Sequence, residues 1–200
     1  MDRFLHQRQA EGQGFAMVCG IDEAGRGPLA GPVSAAAVIL PLDCEIDGLD
    51  DSKKLSELKR EELFDVVIEK AISYGIGWAS EREIDEHNIL QATFLAMRRA
   101  VDAMQVTADY ALVDGNCMPL LSIPGETIVK GDSKCACIAA ASILAKVSRD
   151  RLLRELDKQY PEYGFAKHKG YGTKSHYEAI KKHGILPVHR KSFLKNLHEK

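Results

Sequence analysis

Val18-Cys19-Gly20-Ile21-Asp22-Glu23-Ala24-Gly25-Arg26-Gly27-Pro28-Leu29-Ala30-Gly31-Pro32-Val33-Ser34-Ala35-Ala36-Ala37-Val38-Ile39-Leu40 decides how this chain folds. Residues 16–22 read as a short apolar strand that ends on acids. Residues 25–32 hold three Gly and two Pro and read as a turn. Residues 33–40 form an apolar run interrupted only by Ser34, as expected of a buried strand. The two strands are close enough in sequence to make a hairpin. The turn formally matches G-x-G-x-x-A, the dinucleotide-binding pattern, but no helix can begin in Gly-Pro-Leu-Ala-Gly-Pro. It reads better as a loop whose glycines let a sugar or phosphate approach the main chain beside the acids.

Downstream, residues 50–54 are a polar loop. Ser56 is placed to cap a helix running to about Ile72, with Leu63, Phe64, Val67, Ile68 and Ala71 on one face. Residues 74–79 alternate like a strand. Ser80-Glu81-Arg82-Glu83 matches a capping box and opens a short helix, followed by another helix over 89–104. Short strands are expected at 110–113 and 126–129, a long Ala-rich helix at 137–156, and a last helix at 173–182 stopped by Gly184 and Pro187. Strands and helices intermix, so the fold class is α/β: a central mixed sheet flanked by helices. Residues 1–159 form its core, with 1–14 a flexible or peripheral segment. Residues 160–200 form a basic helical extension of the same domain.

Hydrophobic residues make up 45 % of the chain and charged residues 28 %, a composition that favours a globular protein over a disordered one. The N-terminus lacks the apolar core of a signal peptide, and the longest uncharged run, 27–42, is too short and proline-broken to span a membrane. A cytoplasmic location is expected. Cys19, Cys44, Cys117, Cys135 and Cys137 form no C-x-x-C pair, so reduced thiols are expected rather than disulfides or a zinc site. Net charge is only −2, but from Phe165 onward nine Lys/Arg face two Glu. That asymmetry suits a segment turned toward a polyanion, although a solvated basic helix would look the same.

The acids carry the chemistry. Asp22 and Glu23 close one expected strand, Asp114 closes another, and Asp132 follows a third. In α/β folds sites gather at strand ends. Taken singly, each acid is an ordinary cap or turn residue. Brought together, they repel and need a counterion or protons. An all-oxygen set without His or Cys favours Mg²⁺ or Mn²⁺ over Zn²⁺. Tyr171, between Gly170 and Gly172 amid basic residues, is suited to stacking on a sugar or base, or to sealing a domain edge. Lys53, Lys54, His189 and Arg190 are candidates for phosphate contact, although plain solvation is the usual case for the two lysines.

The segments Gly20–Gly27, Asp51-Ser52-Lys53-Lys54-Leu55, Val113-Asp114-Gly115-Asn116, Lys130-Gly131-Asp132, Ala140–Val147, His168-Lys169-Gly170-Tyr171-Gly172-Thr173 and His183–Arg190 occur in one order along the chain. Together they resemble the ribonuclease HII family of bacterial type 2 ribonucleases H. The resemblance implies a ribonuclease H-like fold and an endonuclease acting on RNA–DNA hybrids and on duplex DNA that contains ribonucleotides. It implies that Asp22, Glu23, Asp114 and Asp132 bind metal and catalyse. It also implies that Gly25, Arg26 and Gly27 read the 2′-hydroxyl and that Tyr171 stacks on the following sugar. The enzyme is expected to act as a monomer with two Mn²⁺ or Mg²⁺ ions, nicking 5′ to the ribonucleotide and leaving 3′-hydroxyl and 5′-phosphate ends. Such a pair of ions can activate water and stabilise the leaving oxygen without a protein nucleophile. A non-catalytic hybrid-binding protein and a different carboxylate-dependent metal nuclease are the competing readings.

Overall fold

The computed structural model describes residues 2–50 and 52–195; Asp51, part of one family-like segment, and residues 196–200 lie outside it. Among the described residues five strands, β1 (Val18–Ala24), β2 (Val33–Ile39), β3 (Ser73–Ala79), β4 (Tyr110–Asp114) and β5 (Gly125–Ile128), form one sheet in the order β3-β2-β1-β4-β5. The expected hairpin is present: β1 and β2 pair antiparallel, with Asp22 opposite Ala36. β3 continues antiparallel, whereas β4 and β5 add parallel to β1, so the sheet is mixed.

Helices α1 (Leu5–Gly12), α2 (Glu57–Lys70), α3 (Glu81–Asp102), α4 (Gly131–Lys134), α5 (Ala136–Gln159), α6 (Phe165–His168) and α7 (Lys174–His183) surround it. The alternation of β1 divides the core. Gly20 and Asp22 face α5, and a Cβ on Gly20 would lie 2.3 Å from the Cys137 carbonyl carbon and the Ile138 nitrogen. Only glycine allows the helix backbone that close. Ala36, Val38 and Leu40 share this side with Ala139, Ala140, Ile143 and Leu144 of α5 and Leu63, Phe64 and Val67 of α2. Cys19, Ile21, Ala35 and Ala37 point to the other face, against Ala92, Ala96, Met97 and Ala100 of α3. The small side chains on both layers bring the helix axes close to the sheet.

Helix starts follow local chemistry. The Ser56 hydroxyl accepts from the Lys59 amide at α2, and Ser80 and Glu83 form the reciprocal capping box at α3. The expected short helix and the helix that follows it are both present within α3: they meet at Asn88 (φ 67°), which is non-helical and whose side chain accepts from the Leu90 and Gln91 amides as the cap of the second. The segment before Gly14 carries helix α1. Gln7 and Ala10 are buried, and Gln7 donates to the Leu40 carbonyl. At the other end, Tyr163, Phe165, Ile180 and Leu194 pack on Leu153 of α5 and on Leu29 and Ala30 of the first turn. All five cysteines are free thiols, and among the described residues no helix is long and apolar enough to cross a membrane.

Candidate active site

The parallel register of β1 and β4 sets Ile21 beside Val113, so Asp22 and Asp114 are the next residues on adjacent strands. β1 runs on to Ala24, so Asp22 lies within the strand rather than closing it. Asp132 arrives from the far side of β5, through Lys130 in a left-handed conformation (φ 58°) and the short helix α4. One carboxylate oxygen from each of Asp22, Asp114 and Asp132 falls within 4.8 Å of the others.

Glu23, the fourth expected ligand, stands outside that trio. Its Oε1 accepts from Arg26 Nη1 at 3.3 Å. Burial raises the Glu23 pKa while Arg26 lowers it, and nearby Asp114 raises it further. It therefore sits at the rim of the same charge cluster.

The Asp22 side chain is set up for a cation. It is 3 % exposed. Its Oδ1 accepts from the Glu23 amide at 2.7 Å, and its buried Oδ2 meets no hydrogen-bond partner. Burial first, then Glu23 and Asp114, push its pKa well above the usual carboxylate range; Ser142 of α5 acts in the opposite direction. A buried anionic oxygen without a partner is costly unless an ion completes it. Three converging carboxylates suit a hard divalent cation. Ser142 shares a 2.8 Å hydrogen bond with Ser52, which anchors the segment bearing Lys53 and Lys54. In sequence, Ser142 lies in the family-like segment Ala140–Val147 but is not singled out as a site residue.

Lys53 reaches within 4.0 Å of Asp132 Oδ2 with its side chain 74 % exposed, and Lys54 pairs with Asp50 at 3.3 Å. Gly25 follows β1 at φ +95°, where a Cβ would collide with Arg149. Two positions on, a Cβ at Gly27 would sit 3.5 Å from Tyr171 Cε1. The turn and the exposed Tyr171 ring thus lie side by side, next to Asp22 and Glu23 in the chain.

His189 and Arg190 require a correction. Both were expected at phosphates, yet they are 1 % and 0 % exposed. Arg190 donates to the carbonyls of Gly25, Arg26 and Gly31. His189 belongs to a buried histidine chain whose tautomers are fixed by its partners. A carbonyl only accepts, so His176 Nδ1 donates to Tyr171 O (2.9 Å). His176 Nε2 must then accept from His189 Nε2 (3.1 Å), and His189 Nδ1 accepts from the Leu186 amide. His168 likewise donates through Nε2 to Tyr163 O and accepts from the Gly170 amide. The His176 and His189 rings are neutral. Burial lowers the His176 pKa to about 4 and depresses that of His189.

Ribonuclease H2 from Pyrococcus horikoshii OT3 superposes with a TM-score of 0.77 at 27 % sequence identity, over 92 % of this chain and 98 % of its own. The fold is accordingly ribonuclease H-like, with Asp22 and Asp114 on the adjacent strands β1 and β4 and Asp132 on α4 beside them. A sequence profile described as Ribonuclease HII matches residues 19–196. The Ribonuclease HII of Endomicrobium trichonymphae is 60 % identical over 191 residues, 95 % of this chain and 91 % of that protein. The Ribonuclease HII of Clostridioides difficile (strain 630) is 56 % identical over 193 residues, 96 % of this chain and 76 % of its own. The chain belongs to the ribonuclease HII family and is a ribonuclease H.

Proposed function

We propose that this protein hydrolyses the RNA strand of RNA–DNA hybrids and nicks 5′ to single ribonucleotides embedded in duplex DNA, leaving 3′-hydroxyl and 5′-phosphate ends. The observation that carries this reading is the adjacency of Gly27 and Tyr171 at the end of the strand that bears Asp22. The turn offers backbone groups to a 2′-hydroxyl, and the ring offers a flat face to the next sugar. A deoxyribose would leave those polar groups unpaired, which penalises DNA.

Asp22, Asp114 and Asp132 would hold the metal, Mn²⁺ or Mg²⁺, with Glu23 completing the set from the rim. Two bound divalent ions supply water activation and charge neutralisation at the scissile phosphate. Asp22 holds its place through the Glu23 amide, and Asp114 through the Gly131 amide. Exposed Lys167, Lys174, Lys181 and Lys182 of the C-terminal segment suit the duplex backbone, so activity falls as salt rises. Lys53 and Lys54 would flank the phosphates nearest the acids. The protein would act in the cytoplasm as a monomer.

The test is a duplex carrying one ribonucleotide. Cleavage on its 5′ side with Mg²⁺ or Mn²⁺, and no cleavage of the all-DNA control, is expected. Binding without cleavage would leave a hybrid-binding protein, and cutting of both duplexes a less selective nuclease.

A further inference from the structure

Arg190 is a fully buried guanidinium whose hydrogen bonds all go to main-chain carbonyls. Among the described residues no carboxylate forms an ion pair with it. Burying a charge this way is expensive, and a methionine would fill similar space without that cost. What methionine lacks is the planar fork of donors.

The fork's targets are specific. Nη2 donates to Gly25 O at 2.6 Å and Nη1 to Arg26 O at 2.9 Å, while Nε and Nη2 both reach Gly31 O. One side chain therefore ties both ends of the turn and fixes two consecutive peptide planes. Both peptides are trans, so the C=O and N–H of each plane point in opposite directions. With Gly25 O and Arg26 O turned toward Arg190, the amides of Arg26 and Gly27 are turned away from it. Among the described residues neither amide meets a protein acceptor. Gly27 is the residue beside the Tyr171 ring.

We infer that Arg190 is a positioning residue for sugar selection: by holding the Gly25 and Arg26 carbonyls, it presents the Arg26 and Gly27 N–H groups to the ribose. This rests on the ribonucleotide reading above and adds the residue that orients the reading groups. Arg190 touches no substrate; it acts through the two peptides.

The test uses the full chain carrying Asp114→Asn, which keeps bound duplex uncut. Affinity is measured for two duplexes that differ by one 2′-hydroxyl. Arg190→Lys keeps the charge but cannot span three carbonyls. It is expected to reduce the preference for the ribonucleotide about tenfold, the scale of one lost hydrogen bond, while all-DNA affinity stays unchanged. A general loss of fold would weaken both duplexes alike. If the preference survives Arg190→Lys, Arg190 is only a strut and the inference fails. No preference in the Asp114→Asn parent would sink the ribonucleotide reading itself and this inference with it. Should Arg190→Lys not fold, amide shifts in the protein with native Arg190 decide. The Arg26 and Gly27 N–H resonances should move with the ribonucleotide duplex and not with the all-DNA one; equal movement overturns the inference.

Discussion

The Gly131 amide donates a 2.6 Å hydrogen bond to Asp114 Oδ1, which ties the end of β4 to the turn that delivers Asp132. One oxygen of Asp114 thus serves structure and leaves the other for a ligand. An amide side chain can accept the same bond. Asp114→Asn should therefore fold normally, bind hybrid duplex, and lose turnover by more than about 100-fold, beyond what outer metal partners usually cost. Single-turnover cleavage alongside a binding titration checks this. Loss of folding would show that the carboxylate itself is structural.

Asp22 tests the link between stability and activity. Its buried carboxylate is opposed by burial, Glu23 and Asp114, so without metal its charge destabilises the fold. Asp22→Asn should melt higher than the parent in EDTA, by an amount on the order of 1 kcal/mol or more. Mn²⁺ should raise the melting temperature of the parent, as any ligand selective for the native state does, and leave Asp22→Asn unmoved. A parent that melts identically with and without Mn²⁺ would contradict the site.

Tyr171 is 46 % exposed, so truncating it should cost little stability. Stacking on a nucleic acid is worth about 1–3 kcal/mol per contact by alanine substitution. Tyr171→Ala should accordingly cut kcat/KM at the single-ribonucleotide site by roughly tenfold or more while general duplex affinity changes less. An unchanged cleavage pattern would assign the ring to the domain edge instead.

The histidine chain predicts acid sensitivity. The folded pKa of His176 is about 4 against 6.5 in the unfolded chain, so the unfolded state binds the proton first. Its contribution to stability is complete above pH 6.5 and is lost as pH falls toward 4. Unfolding free energy measured between pH 7 and 4 should drop, and His176→Gln should flatten that part of the curve. A slope the same in both proteins would place the acid sensitivity on carboxylates.

What the sequence disclosed and what it hid have physical causes. Strands, capped helices and the clustered acids were legible because their signals are local: the apolar run that ends on Asp22, Ser56 three residues before Lys59, and Asp114 at the end of another apolar run. Helix α1 gave no such signal. It has no side-chain cap and is held by distant partners, Gln7 by Leu40 and Arg8 by Asp43. Arg190 was misread because arginine is normally exposed. Its partners lie some 160 positions away, at Gly25, Arg26 and Gly31, and only the fold brings those carbonyls to it. The contact between Glu23 and Arg26 was not legible, because it depends on how the turn after β1 folds back.

Arg3 offers a last prediction, from a residue that precedes the matched family region. Its Nη2 donates to the Asp132 carbonyl at 3.0 Å, its Nη1 donates to the Leu49 carbonyl, and its own carbonyl accepts from the Ala136 amide at the start of α5. The side chain thus braces the turn bearing Asp132 from behind. Arg3→Ala should leave duplex affinity unchanged while weakening Mn²⁺ binding about tenfold, as loss of an outer-shell partner does. Arg3→Lys should recover part of it, since an ammonium can reach one of the two carbonyls. Calorimetric titration of Mn²⁺ into each variant measures this directly. Because the Arg3 carbonyl bond to Ala136 survives the substitution, a parallel loss of melting temperature and metal affinity is not expected. If Mn²⁺ affinity holds while stability falls, Arg3 fastens the N-terminal segment and has no part in placing Asp132.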